Sequence, residues 1–286
     1  MLSRQELART ALRASFEARR KAAALFEDPI CIYDLAERLG LEVWFVAGAS
    51  FGGMYVKDSD QLFIPSERHA GRKAFTCAHE LAHWWFNHGT RIDKLDFDKS
   101  DHEVPEECLA NLFGGYILMP RHAVVDAFRR RQIQPQYCTP IQIYEVACQL
   151  GVGYETLLKH MRYSLNLITH SRLIDLQGST PKDFRIQVLG NSENCHMVLA
   201  GSNWRKVSID LEVGDFAVLP KKAILNGTAA QIVGDCPLGV IAKGVRPGIA
   251  QAIMNSSSWA AMLRVSRKKF HGRSAYRHLE DPDETT

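Results

Sequence analysis

Thr76-Cys77-Ala78-His79-Glu80-Leu81-Ala82-His83-Trp84-Trp85-Phe86 holds a His-Glu-x-x-His spacing, and neither proline nor glycine interrupts the chain from Lys73 to His88. Residues four apart lie nearly above one another on an α-helix. His79 and His83 can therefore offer two imidazole nitrogens to a single metal ion. Glu80, one residue on from the first histidine, can reach a water activated by that metal and take its proton. Metal assistance suits this chemistry because water is a poor nucleophile at neutral pH and a bound zinc lowers its pKa to about 7.

Two histidines need a third ligand. The pattern that continues His-x-x-Gly-x-x-His fails, because Phe86 and Gly89 occupy the required positions. His88 is no substitute on a continuous helix, where it lies roughly 140° around from His83. The other pattern takes a glutamate from a second helix. Pro105-Glu106-Glu107 opens such a helix, and Pro120 ends it. Glu107 shares a face with Asn111, which could hydrogen-bond a ligating histidine. Glu106 has only Ala110 at the same spacing and is the fallback ligand.

These motifs resemble the ImmA/IrrE family of metallopeptidases. The likeness rests on Gly71 to His83, on Glu107-x-x-Ala110-Asn111-x-Phe113, and on Leu118-Met119-Pro120. Ile30 to Gly40 and Gly53-Met54-Tyr55 fit the upstream part, so the likeness spans about residues 8–168. It implies a zincin fold and limited cleavage of a helix-turn-helix repressor, which would derepress genes in a stress response. By position, His79, His83 and Glu107 match the metal ligands and Glu80 the catalytic glutamate. Gly114-Gly115 departs from the family, which usually has alanines there, and nothing beyond about residue 170 matches it.

A length of 286 residues suggests two domains, and the net charge of +3 is too small to argue for nucleic acid. Seven cysteines without a Cys-x-x-Cys pair suit reduced thiols. The N-terminal residues lack an apolar signal core, and no run is long enough to span a membrane. A cytoplasmic location is expected.

Taken in order, residues 3–26 read as a helix, with Arg19-Arg20-Lys21 on a solvated face. A short helix follows from Ile30 to Leu39, then strands at Leu41 to Val46, Met54 to Val56 and Leu62 to Ile64. An exposed edge of that hairpin could hold an extended substrate over the metal. Tyr55, Tyr116, His102 and His122 are the candidates to stabilise an oxyanion, and the sequence does not choose among them. Arg91 to Glu103, rich in aspartate, reads as a solvated loop or a flap, in which His102 and Glu103 are weaker rival ligands.

Two further helices, Arg121 to Gln132 and a pair within Pro140 to Ile168, include a helix-turn-helix-like order. The second helix of that pair offers Lys159, His160 and Arg162 but no amide before Asn166. Bracing of the peptidase is therefore favoured over direct DNA reading. Alternating segments follow, beginning with Phe184 to Val188 and including Val207 to Leu211 and Phe216 to Leu219. They predict a small barrel or sandwich.

The expected architecture is thus α+β. A zincin-like domain over residues 1–125 precedes a helical segment over 126–169, a β-rich domain over 170–262 and a charged, disordered tail over 263–286. The expected activity is that of a Zn2+-dependent endopeptidase acting on a protein substrate, with Mn2+ or Fe2+ compatible with the same donors. The alternative is a non-catalytic regulator that binds DNA or sequesters a repressor and senses a ligand through its β domain. Substrate, trigger and oligomeric state are not encoded in any motif.

Overall fold

A computed structural model describes residues 3–93, 104–190 and 195–280. The chain divides into two units, Met1–Val124 with Lys269–Ala275, and Val125–Lys268 with Tyr276–Thr286. The first contains α1 (Arg4–Lys21), α2 (Ile32–Arg38), β1 (Glu42–Val46), β2 (Gly53–Val56), β3 (Gln61–Pro65), α3 (Ala70–Trp85), β4 (Arg91–Asp93) and α4 (Pro105–Leu118). The division falls within α5 (Arg121–Arg130).

A capping box starts α1: the Ser3 hydroxyl accepts from the Glu6 amide, and the Glu6 carboxylate accepts from the Ser3 amide. The buried stripe Leu7, Ala11, Ala14 and Ala18 is mostly small, which lets α1 lie close along α4. Arg19 corrects the expectation of a wholly solvated basic run. It is fully buried, donating to the carbonyls of Ile117 at 2.8 Å, Leu25 at 2.7 Å and Asp28 at 3.0 Å. Burial pushes its pKa down to about 10, so it keeps its charge at neutral pH. That charge sits on a carbonyl in the last turn of α4, where a cation is favoured.

The sheet of this unit has the order β13-β1-β3-β2-β4. β1 and β3 are parallel, while β2 is antiparallel to both β3 and β4. Its other edge is closed by β13 (Gly272–Arg273), in antiparallel register Trp44↔Arg273 and Phe45↔Gly272. The supposed tail is therefore partly ordered. Phe270 packs on Phe45 with ring centroids 6.4 Å apart, its carbonyl accepts from the Ser66 hydroxyl, and Arg273 meets Glu42 at 3.2 Å. Apolar packing and an ion pair outweigh the charged composition here. Residues 281–286 of that expected tail lie outside the described residues.

The second unit continues with α6 (Pro140–Gln149), α7 (Tyr154–Tyr163), α8 (His170–Gln177) and α9 (Pro181–Leu189). Its strands are β5 (Met197–Leu199), β6 (Ile209–Glu212), β7 (Phe216–Leu219), β8 (Ile224–Asn226), β9 (Ala230–Cys236), β10 (Gly239–Gly244), β11 (Gly248–Ile253) and β12 (Ala260–Ser266). The strand expected at Phe184 to Val188 is instead helix α9. Thr180 and Asp183 form a capping box, Pro181 opens the helix, and Gly190 ends it at φ +71°. Phe184 and Val188, four apart, form its buried face, so the local alternation was accidental.

Two four-stranded sheets, β5-β7-β10-β9 and β6-β12-β11-β8, share a core that includes Leu219, Ala242, Ile209 and Leu263. Leu263 and Val265, expected at the start of the tail, are fully buried in β12. The α6–α7 pair belongs to this unit. Tyr144 on α6 donates its hydroxyl to the Met197 carbonyl of β5, so α6 braces the β region. The zincin-like α+β domain is thus followed by a C-terminal β region. All seven cysteines are free thiols, and among the described residues no helix is long and apolar enough to cross a membrane.

Candidate metal centre

Small residues on α3, including Cys77, Ala78 and Ala82, are fully buried and let β2, β3 and α4 approach. His79 and His83 consequently lie in the interior, 1% and 0% exposed. Their Nε2 atoms are 3.0 Å apart. Glu107, in the first turn of α4, brings Oε2 to 3.1 Å from His79 Nε2 and Oε1 to 3.7 Å from His83 Nε2. Asp93, at the end of β4, brings Oδ2 to 3.3 Å from His79 Nε2. Donor atoms of all four side chains lie within 4.8 Å of one another.

The far nitrogens of the two imidazoles are held. His79 Nδ1 is 3.2 Å from Asn111 Oδ1, an oxygen that only accepts, so His79 donates there and its Nε2 lone pair faces the cluster. His83 Nδ1 lies 2.9 Å from His88 Nδ1. Burial first, then the neighbouring His83, lowers the His88 pKa to about 4, so it stays neutral and can accept the His83 proton. Two lone pairs then face each other at 3.0 Å, a repulsive arrangement that a cation between them resolves. In a tetrahedral site with bonds of about 2.0–2.1 Å, adjacent donors stand about 3.3 Å apart. The donor set fits a zinc-like ion.

Glu80 is fully buried, and the polar group its carboxyl meets is the carboxyl of Asp93. Burial, followed by the charges of Asp93 and Glu107, pushes its pKa well above the usual carboxylate range. Burial also raises Glu107, but the adjoining His79 and His83 imidazoles outweigh that effect and hold it well below the range. The backbone of β2 passes against Glu80 at Gly53. A Cβ there would stand 2.2 Å from Glu80 Oε1 and 2.7 Å from Thr76 Cγ2.

The structure thus brings His79, Glu80, His83, Glu107 and Asn111 together. Glu106, the fallback ligand, faces away and forms a half-exposed ion pair with Arg91. Tyr55, the oxyanion candidate, is buried in β2, and its hydroxyl turns to Asp60 Oδ1 at 3.4 Å. Tyr116 lies nine residues beyond Glu107, on roughly the opposite face of α4. His122 is exposed at the start of α5, and His102 and Glu103 lie outside the described residues. Asp93 and Gly53 were given no part in the site by sequence, and His88 was weighed only as a ligand and set aside. The only signal for Asp93 was a general excess of acid in its segment.

A buried helical histidine pair joined by a glutamate from a second helix, beneath a mixed sheet, defines a zincin-like domain. Residues 36–162 match the model of the Peptidase_M78 family, IrrE N-terminal-like domain. No curated protein matches the chain. Among solved structures, a Mycobacterium tuberculosis transcriptional regulator is similar at 18% identity and a TM-score of 0.36, over 57% of this chain and 49% of its own. The chain thus spans about half the length of that protein.

Proposed function

We propose that the chain is a zinc-dependent endopeptidase that makes one limited cut in a protein substrate, a helix-turn-helix repressor in the reading the family resemblance suggests. The observation that carries this is the convergence of His79, His83 and Glu107 beside the buried Glu80. A zinc ion held there would polarise a scissile carbonyl and acidify the attacking water. Mn2+ and Fe2+ suit the same nitrogen and carboxylate donors. In this reading Glu80 takes the proton of the water and later delivers it to the leaving amine. Its buried setting favours a carboxyl that holds a proton between two steps. Asn111 and His88 keep the imidazoles aimed. Residues 1–125, completed by 269–275, would form the peptidase part, with the β region recognising a substrate or a regulatory ligand.

Direct DNA reading by α7 is less well supported. Lys159 pairs with Glu155 at 2.8 Å, Arg162 bonds Asn166 at 3.2 Å, and His160 is buried. The test is incubation of metal-free protein with a candidate helix-turn-helix repressor, with and without Zn2+, read by intact-mass spectrometry. A single Zn2+-dependent cut that disappears in Glu80→Gln is expected. Tight metal binding with the repressor left intact in a complex would replace cleavage by sequestration.

A further inference from the structure

The geometry points to Asp93 as a fourth protein ligand, on a strand that occupies the place of an extended substrate, so that the site is held closed by its own chain. The inference rests on the metal-site reading above and concerns how that site is regulated. Catalytic zinc sites keep three protein ligands and leave a position for the reaction, whereas sites with four protein ligands are closed. Here the converging set is His79, His83, Glu107 and Asp93. Glu80, fully buried, has its carboxyl against that of Asp93 in the same space. Asp93 therefore stands where a reacting group would meet the base.

The backbone carries the same message. An extended peptide binds a sheet by pairing with an exposed edge. β2 passes against Glu80 and has β3 on one side, so its other side is the edge a substrate would use. β4 already fills it, in register Gly53↔Asp93, Met54↔Ile92 and Tyr55↔Arg91, with the Gly52 amide donating to the Asp93 carbonyl at 2.7 Å. Little apolar burial anchors this strand, since Ile92 is 66% exposed. Its other ties are polar: the ion pair from Arg91 to Glu106, both substantially exposed, the approach of Asp93 to His79, and the attraction of Arg72 for Asp93. An incoming strand can replace the ladder bonds one for one, and the departure of β4 removes Asp93 from the cluster. The ligand class that opens the site is an extended protein segment.

The test uses the full chain loaded with Co2+, whose visible absorption reports coordination, and azide as the probe of an open position. For wild type, about 10 mM azide should leave the spectrum unchanged. Asp93→Ala should bind Co2+ about 10- to 100-fold more weakly, the scale on which a lost supporting group at a metal site acts, and its spectrum should shift with azide. Arg91→Ala loosens β4 without removing a ligand, and should admit azide with a smaller change in Co2+ affinity. Equal Co2+ affinity and equal azide response in wild type and Asp93→Ala would overturn the inference while leaving the metal reading intact. Failure of wild type to bind Co2+, or binding indifferent to His83→Ala, would refute the metal reading itself and the inference with it.

Discussion

Replacing Gly53 by alanine should separate metal binding from catalysis. The new methyl would stand 2.2 Å from Glu80 Oε1 and 2.7 Å from Thr76 Cγ2, where ordinary contacts need about 3.4 Å or more. The Glu80 carboxylate is the free end of a flexible side chain and yields first, by about 1 Å. Thr76, β-branched and stiff on its helix, yields less. Overpacking of this kind costs about 1–3 kcal/mol, which a folded chain of this size tolerates. A misplacement of about 1 Å at a reacting group costs on the order of 100-fold in rate. His79, His83 and Glu107 are not among the atoms the methyl meets, so Zn2+ affinity should stay within a few fold of wild type. Competition with a chromogenic chelator measures affinity, and the time course of the repressor cut measures rate. Unaltered cleavage with unaltered affinity would refute the role given to the approach of β2 to Glu80.

Other substitutions probe the frame around the site. Arg19→Met should destabilise the first unit by about 3 kcal/mol, because the carbonyls of Ile117, Leu25 and Asp28 lose a charged donor in the interior; chemical denaturation reads it. Gly114→Ala should stabilise by about 0.5–1 kcal/mol through helix propensity. Its methyl would meet Ala78 Cβ at 3.6 Å, an ordinary contact, and a lowered melting temperature would contradict this. Asp210 is raised by burial, but Arg277 and Arg264 more than offset this and bring it to about 2. Its folded pKa lies below the unfolded value of about 3.9, so its stabilisation is present above about pH 4 and lost as the pH falls through about 2. With 35% of that side chain exposed, solvent screening leaves about 1 kcal/mol. The stability gap between wild type and Asp210→Asn, followed by denaturation from pH 6 to 2, should shrink across that window.

The helical part of the centre was legible because its chemistry is written at a fixed spacing. His79 and His83 share a helix face, and Glu107 and Asn111 recur at the same interval on α4. Asp93 was not legible, since the ladder pair Gly53↔Asp93 places it, and no local periodicity encodes that pairing. His88 was set aside by helical-wheel geometry, but α3 ends at Trp85 and Asn87 turns the chain back at φ +56°. The wheel does not extend that far. Gly53 entered the sequence reading through the family likeness, whereas its lack of a side chain makes room for a carboxylate from another element. The first strands, β1 to β3, followed their hydrophobic pattern. α9 shows the opposite case, in which the capping residues outweighed a two-residue alternation.

The placement of β13 imposes an order on biosynthesis. Its partner β1 leaves the ribosome early, yet Gly272 and Arg273 are made only after the whole β region has been translated. At about 5–20 residues per second, β1 waits on the order of ten seconds or more with one edge unpaired. The sheet beside the metal helix is therefore completed after the downstream strands exist. A nascent chain halted before residue 272 carries His79, Glu80 and His83 but lacks the strand that closes this edge. Maturation of the unit that holds the candidate metal centre is thereby coupled to translation of the β strands of the other.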